Sequence, residues 1–180
     1  MGWSVDIVES VSASDIAAVQ ELWNQYWQSF GLSFDFQDFA DELRTLPGKY
    51  APPAGRLLLA RIDGQRAGTA AFRPLQNDAS ADACEAKRLY VRPAYRRHGL
   101  ARLLLTRLIE EARRTGYRKL YADTLVTMDS ALGLYRSLGF VEVGPYAENP
   151  TPGAIYLRLS LSRNGPTEPV ATGPVPRFSY

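Results

Sequence analysis

The sequence predicts a mixed α/β domain in which a central mixed sheet is flanked by helices. Its 180 residues suit one domain with a substantial core. A hairpin pattern between Arg56 and Phe72 implies antiparallel pairing in the first half of the chain. A strand, a helix and a strand between Ala83 and Thr124 then imply parallel pairing in the second half.

The N-terminal part predicts a strand followed by two helices. Residues Trp3 to Glu9 alternate between apolar and polar, as a strand with one buried face does. Ser14 and Asp15 then open a helix whose apolar residues recur at helical spacing. These residues are Ile16, Val19, Leu22, Trp23, Tyr26, Trp27 and Phe30. A second amphipathic helix is expected from Phe34 to Leu46, where a Pro-Gly pair stops it.

The next segments predict the hairpin and the elements that follow it. Asp63-Gly64 favours a primed turn, which matches the twist of the strands Arg56–Ile62 and Gln65–Phe72. Apolar periodicity and glycine stops define the remaining elements. They are strand Ala83–Val91, helix Gly99–Gly116, strand Lys119–Thr124, helix Asp129–Leu138, strand Phe140–Val143 and strand Ala154–Leu161.

Residues 1–162 are expected to form a single domain, and residues 163–180 a flexible tail. The tail has prolines at positions 166, 169, 174 and 176 and no apolar periodicity. Both features argue against its belonging to the core.

Composition excludes several classes of function. The formal net charge of +2 at pH 7 is too small to indicate nucleic-acid binding by bulk charge. The one cysteine, Cys84, permits neither an intramolecular disulfide nor a cysteine-based metal site, and it suits a reducing compartment. We therefore expect a cytoplasmic protein without a metal. No membrane partner is expected, because no segment approaches the roughly 20 apolar residues that span a bilayer.

A basic segment, Arg-Arg-His-Gly-Leu-Ala at residues 96–101, lies at a predicted strand-to-helix junction. The first turn of a helix has unpaired N–H groups and the positive end of the helix dipole. A glycine there lets a ligand approach the main chain, so the segment is typical of a phosphate site. The alternatives for this segment alone are a solvated basic turn or a nucleic-acid contact.

Together with a second block, this segment resembles the GCN5-related N-acetyltransferase (GNAT) family. The family's pyrophosphate loop reads Gln/Arg-x-x-Gly-x-Gly/Ala, and Arg96, Gly99 and Ala101 fill it. Residues 131–140 match the family's second pattern, Ala-x-x-Leu-Tyr-x-x-x-Gly-Phe. The resemblance implies the family's acyl-CoA N-acyltransferase fold and acetyl-CoA as the acyl donor.

The resemblance also implies which residues bind the cofactor. Backbone groups at the strand end contact the pantetheine arm, and the loop holds the pyrophosphate. The implied residues are Leu89, Tyr90, Val91, Arg96, Arg97, His98, Gly99, Leu100, Ala101 and Arg102. In this interpretation His98, the one histidine, contacts the pyrophosphate and transfers no proton. Cys84 is interpreted as a small buried residue rather than a nucleophile.

Two residues are candidates for proton transfer. Tyr135 matches the family tyrosine that protonates the departing thiolate, although its spacing also suits a core residue. Glu85 lies on the strand that supplies the general base in many members. Period-2 alternation puts Glu85 and Val91 on one face if no bulge intervenes. The alternative is that Glu85 merely pairs with Lys87 or Arg88.

One position departs from the family pattern. Many members have a cofactor-binding Asn where this chain has Met128, so that contact is absent or comes from Asp129 or Ser130. The acceptor site is expected between the first helices and the last strand loop. That placement nominates aromatic wall residues and polar contacts, namely Trp23, Tyr26, Trp27, Phe30, Phe34, Tyr146, Glu148 and Asn149.

The resulting hypothesis is an N-acetyltransferase that transfers acetyl directly from acetyl-CoA to the amine of a small molecule or amino acid. The alternative is an acyl-CoA-binding sensor or degenerate family member without turnover. The expected partners are acetyl-CoA and a small amine acceptor, with homodimerisation left open and no nucleic acid. The arginines on the predicted helix after Gly99 point in several directions and alternate with Glu110 and Glu111, as on a solvated face.

Overall fold

A computed structural model describes residues 3–29, 36–76, 81–146 and 152–161, with residues 36 and 37 described by their backbone alone. It contains one seven-stranded mixed sheet with helices on both faces, as the sequence predicts. No helix within these ranges is long and apolar enough to cross a membrane. The predicted tail at residues 163–180 lies outside the described residues.

The secondary structure follows the predicted order. The strands are β1 (Val5–Glu9), β2 (Arg56–Ile62), β3 (Gln65–Pro74), β4 (Ala83–Val91), β5 (Lys119–Leu125), β6 (Val141–Val143) and β7 (Ala154–Ser160). The helices are α1 (Ala13–Gln28), α2 (Phe36–Arg44), α3 (Leu100–Thr115) and α4 (Asp129–Ser137). Helix α1 begins earlier than expected, because Ser12 rather than Ser14 caps it by accepting the Asp15 N–H.

The strand order across the sheet is β1-β2-β3-β4-β5-β7-β6. All neighbouring pairs are antiparallel except β4 and β5, which are parallel, so both pairing predictions are confirmed. The parallel pair joins only residues 83–85 to residues 119–121. Past that point the two strands continue without pairing, which leaves a split in the middle of the sheet.

Two apolar cores lie on opposite faces of the sheet. Helices α3 and α4 cover one face, where Leu104, Leu105 and Leu108 are essentially inaccessible to solvent. Helices α1 and α2 cover the other face, where Trp23 packs edge-on against Tyr50. These cores hold the two edges of the split at fixed positions, since each strand is packed on both faces.

A β-bulge interrupts β4 at the edge of the split. Lys87 pairs with Ala71 and Tyr90 with Thr69, so two residues of β4 lie opposite one residue of β3. The bulged residue Arg88 has a left-handed φ of +58°, which is unfavourable for a long side chain.

The bulge reverses the alternation of side chains along β4. Cys84 and Ala86 belong to the core under α3, so Glu85 faces the α1 side. After the bulge, Tyr90 packs on the α1 side and Val91 on the α3 side. The expectation that Glu85 and Val91 share a face is therefore wrong, and Glu85 shares its face with Tyr90 instead.

Gly68 of β3 marks a close contact that leaves no room for a side chain. A Cβ at this position would lie 2.8 Å from the Tyr90 carbonyl oxygen and 3.1 Å from Leu104 Cδ1. We expect Gly68→Ala to lower the free energy of unfolding by about 1–3 kcal/mol through overpacking. Chemical denaturation measures this change.

Gly133 provides the control for that prediction. It lies inside α4, and a Cβ there meets nothing within 4 Å. Gly133→Ala should raise stability by roughly 0.5–1 kcal/mol, because alanine favours the helix more than glycine does. Equal effects of the two variants would contradict the packing described for Gly68.

Candidate active site

The split between β4 and β5 opens into a cleft of about 910 Å³. One wall is the end of β4, with Leu89, Tyr90 and Val91. The opposite wall is the turn that leads into α4, where Asp129 and Ser130 take part and Met128 occupies the family's asparagine position. Because β5 does not pair with this part of β4, an extended ligand can hydrogen-bond there as an added strand does.

The first turn of α3 closes one end of the cleft. Gly99 is the N-terminal cap residue of α3, with a left-handed φ of +78° and no side chain to cap the helix. The first intrahelical bond joins the Leu103 N–H to the Gly99 carbonyl. The N–H groups of residues 97–102 therefore find no acceptor among the described residues. Together with the helix dipole they form an anion site at the cleft.

The basic side chains of this loop have different positions. Arg96 folds inward, donates from Nε to the Val91 carbonyl at 2.9 Å, and lies over the Tyr90 ring. Arg102 donates to Ser137 Oγ at 2.7 Å, which links α3 to α4.

His98 is the one residue of the implied cofactor set that does not line the cleft. The residues of that set that do line it are Leu89, Tyr90, Val91, Arg96, Arg97, Gly99, Leu100, Ala101 and Arg102. The His98 ring packs on Trp3, with 4.3 Å between ring centroids. Only its backbone N–H remains at the anion site, so the imidazole has a structural contact outside the cleft.

A second cavity of about 220 Å³ adjoins the cleft and lies in the split itself, between residues 86–89 of β4 and residues 123–125 of β5. The two spaces share the lining residues Tyr26, Leu89, Met128 and Ala131, so they meet at the bulged end of β4. The arrangement brings a long cleft and a small cavity together at one point. Such a geometry suits a two-substrate reaction in which one reactant is long and the other is small.

Tyr135 of α4 lines the small cavity. Only 5% of the residue is exposed, and its ring packs edge-on against Phe140. Its hydroxyl has no hydrogen-bond partner among the described residues. Burial raises the Tyr135 pKa, and the nearby Tyr26 and Asp123 raise it further. The hydroxyl is therefore a protonated donor at neutral pH, available to a ligand at the split.

Glu85 lies on β4 behind the cavity wall and not in its lining. Its Oε1 pairs with Lys87 Nζ at 2.7 Å and its Oε2 with Arg73 Nε at 3.2 Å. Tyr146 lies near Glu85, and burial together with the Asp123 and Glu85 charges raises the Tyr146 pKa. The suggested pairing of Glu85 with Lys87 is present. Arg88 instead pairs with Glu42 of α2.

Asp123 near the end of β5 is the carboxylate that reaches the cavity. Its Oδ1 accepts from Lys87 Nζ at 2.8 Å and from the Tyr146 hydroxyl at 3.5 Å. Its Oδ2 has no hydrogen-bond or ion-pair partner among the described residues. Burial lowers the Lys87 pKa, but the adjacent carboxylates of Asp123 and Glu85 outweigh it and raise that pKa overall. Lys87 is therefore an ammonium ion rather than a base.

Sequence reasoning did not select Asp123. It looks like an ordinary solvent-facing residue of a strand in which Leu120, Ala122 and Thr124 are buried. The available signal was its position near the carboxyl end of a strand that runs parallel to β4, where ligands bind in mixed α/β sheets.

The nominated acceptor wall is only partly present at the cavity. Tyr26 and Trp27 line it, whereas Trp23 is fully buried in the α1 core. Phe30, Phe34, Glu148 and Asn149 lie outside the described residues. Cys84 is fully buried beside the Lys119 carbonyl, which confirms its interpretation as a small core residue.

Comparisons with known proteins agree with this geometry. The acetyltransferase (GNAT) family matches residues 16–140. An N-acetyltransferase of Schizosaccharomyces pombe is 39% identical over 83% of this chain and 90% of its own length. The L-amino acid N-acyltransferase MnaT of Escherichia coli is 29% identical over 89% of this chain and 95% of its own.

The fold is also found among solved structures. An acetyltransferase from Salmonella typhimurium, solved with its cofactor acetyl-CoA, superposes with a TM-score of 0.69 at 24% identity. The superposition covers 92% of this chain and 99% of that one. Since the family match covers more than half of the sequence, this chain belongs to the GNAT family and is an N-acetyltransferase.

Proposed function

We propose that this acetyltransferase moves an acetyl group directly from acetyl-CoA to the amine of a small molecule or amino acid. The observation that carries the proposal is the unpaired Tyr135 hydroxyl in a small cavity that adjoins a long cleft. The long cleft suits the cofactor and the small cavity suits the acceptor. The L-amino acid acceptor named for the Escherichia coli relative supports an acceptor of this size.

The cofactor is assigned to the cleft by its hydrogen-bonding groups. The free N–H groups of residues 97–102 would hold the pyrophosphate, with Arg97 and Arg102 adding positive charge. Backbone groups of residues 89–91 would pair with the amides of the pantetheine arm. His98 contributes its N–H alone in this arrangement, because its ring packs on Trp3.

Tyr135 is proposed as the general acid. The acceptor nitrogen bonds to the acetyl carbon, the bond from that carbon to sulfur breaks, and Tyr135 gives its proton to the departing sulfur. The raised Tyr135 pKa keeps that proton in place at neutral pH. Direct transfer needs no enzyme nucleophile, and the buried Cys84 thiol, whose pKa burial raises, is unsuited to be one.

The acceptor must lose a proton before or during attack. Asp123 is better placed than Glu85 to receive it, because Asp123 lines the cavity with one unoccupied oxygen. Glu85 would act as a positioning residue, since it pairs with Lys87, which in turn pairs with Asp123. In this arrangement the predicted base role of Glu85 is exerted through its neighbours.

The raised Tyr135 pKa predicts the shape of the pH profile. A general acid loses activity as pH rises through its pKa, and the Tyr135 pKa lies above the ordinary tyrosine value. We expect kcat at saturating acceptor to rise or stay level between about pH 7 and about pH 9.5, with no falling limb below about pH 10. Initial rates across that range measure it. A falling limb near neutral pH that persists in Tyr135→Phe would assign the acid to another group and contradict the proposal.

The proposed function is tested by free-thiol release from acetyl-CoA against a panel of small amines and amino acids. We expect thiol release that depends on the acceptor and matches the acetylated product mole for mole. Calorimetric binding of acetyl-CoA without release on any acceptor would instead support a CoA-binding sensor. Absence of both binding and release would overturn the assignment of the cleft.

A further inference from the structure

Six charged side chains of alternating sign form a continuous line of ion pairs behind the small cavity. In order they are Arg88, Glu42, Arg73, Glu85, Lys87 and Asp123. The charges of the line cancel in pairs, so the line as a whole is neutral. Its first and last members, a cation and an anion, both line the cavity of about 220 Å³.

Arg88, the cationic end of the line, has a hydrogen-bond donor that the described residues leave unused. Arg88 uses Nε, at 3.1 Å, and Nη2 to bind Glu42. Its Nη1 has no partner among the described residues. The guanidinium carbon lies over two aromatic rings, 4.9 Å from the centre of the Phe39 ring and 5.6 Å from that of Trp23. An arginine held on two aromatic faces is a pre-organised carboxylate site.

Asp123, the anionic end of the line, has a hydrogen-bond acceptor that the described residues leave unused. Asp123 lines the cavity and accepts both of its hydrogen bonds at Oδ1, so Oδ2 is left for a ligand. Lys87 differs from Arg88 because it lies between two carboxylates, at 2.7 Å from Glu85 and 2.8 Å from Asp123. Its charge is already neutralised, so Arg88 is the cation left for a ligand.

Tyr26 is influenced by the charges at both ends of the line of ion pairs. This residue lines the cavity, and burial raises its pKa. The charges of Arg88 and Lys87 lower that pKa, whereas the charge of Asp123 raises it. Lys87, Arg88 and Asp123 line the same cavity as Tyr26, and its volume suits a small molecule.

We propose that the acceptor is a free α-amino acid, whose ammonium group binds Asp123 Oδ2 and whose carboxylate binds Arg88 Nη1. This inference rests on the proposed acetyl transfer and names the substrate class of the same site. The ammonium end lies toward Tyr135, where the acetyl group arrives, and the carboxylate end lies toward α2. The left-handed backbone of Arg88 is explained by this task, because the bulge turns its side chain onto Phe39 and Trp23.

The test compares acceptors that differ in one charge. The standard L-amino acids are screened by thiol release, and each accepted one is compared with its carboxamide and its decarboxylated amine. We expect kcat/KM to fall about 10- to 100-fold for both analogues, as loss of a charged hydrogen bond predicts. Equal rates for amino acid, amide and amine would overturn the inference and leave acetyl transfer standing. No release with any acceptor would overturn both.

Variants of Arg88 link the preference to this residue. Arg88→Met should raise KM for the amino acid and abolish its advantage over the amide, whereas Arg88→Lys should retain part of that advantage. Arg66→Met is the matched control, because Arg66 also pairs with a glutamate, Glu21, but does not line the cavity. Calorimetric affinity for acetyl-CoA shows whether each variant is folded. An unchanged preference in folded Arg88→Met would overturn the assignment.

Discussion

Replacement of Tyr135 by phenylalanine should lower kcat by about 100-fold or more, the effect expected when a general acid is lost. The hydroxyl makes no hydrogen bond with the described residues, so its removal disturbs no internal contact. The ring remains packed against Phe140. Stopped assays of thiol release at saturating acetyl-CoA and acceptor measure the change.

Binding and stability separate this role from a structural one. Tyr135→Phe should bind acetyl-CoA with an affinity within about twofold of the parent protein, since a kcat effect without a binding effect marks a group used in the transition state. A parent-like kcat would remove Tyr135 from the mechanism. A large loss of stability would instead identify it as a core residue whose hydroxyl matters for folding.

The second large effect is expected at Asp123. Asp123→Asn keeps the shape of the side chain but removes its charge and its capacity to take a proton. We expect kcat/KM for the amine acceptor to fall by about 100-fold, because one group both binds the ammonium and receives its proton. Rates measured as a function of acceptor concentration separate the KM and kcat contributions.

Glu85→Gln is the matched comparison for Asp123→Asn. Glutamine keeps an oxygen and a donor near Lys87 and Arg73 but removes the negative charge between them. A positioning residue acts through Lys87, so the loss should be smaller than at Asp123, about tenfold. The opposite result would be a larger loss of activity in Glu85→Gln, together with loss of the rise in rate with pH that a general base causes. In that case Glu85 would be the base, and Asp123 would only contact the acceptor.

The order and pairing of the elements could be predicted because each depends on local signals. Asp63-Gly64 is enough to set the hairpin, and the alternation in Ala154–Ser160 is enough to set the final strand. The anion site at the start of α3, proposed to bind the pyrophosphate, was predictable for the same reason. Anion binding there depends on the backbone at the N-terminus of a helix, and Gly99 marks where that helix begins.

The face that each later residue of β4 occupies, and the direction of the Arg88 side chain, could not be predicted because both depend on one inserted residue. The bulge at Arg88 reverses which face each later residue of β4 occupies. Nothing local marks it, since arginine is a poor residue for a left-handed φ. The bulge is held by contacts with Phe39 and Glu42, which come from α2, far away in the sequence.

His98 shows the same limit in the cofactor loop. Its position in the motif suggested a phosphate contact, but its ring packs on Trp3 at the start of the chain. Asp123 shows the converse, because an unremarkable strand residue reaches the cavity where β5 separates from β4. In both cases a contact between distant segments decides the role of the residue.

A crystal structure with acetyl-CoA tests the account most directly, because the central claim places the cofactor in the split between β4 and β5. We expect pyrophosphate oxygens within hydrogen-bond distance of the N–H groups of residues 97–102. We also expect the thioester sulfur beside the Tyr135 hydroxyl, with the acetyl group pointing into the cavity that Asp123 lines. A cofactor bound elsewhere, or a sulfur out of reach of Tyr135, would contradict the account.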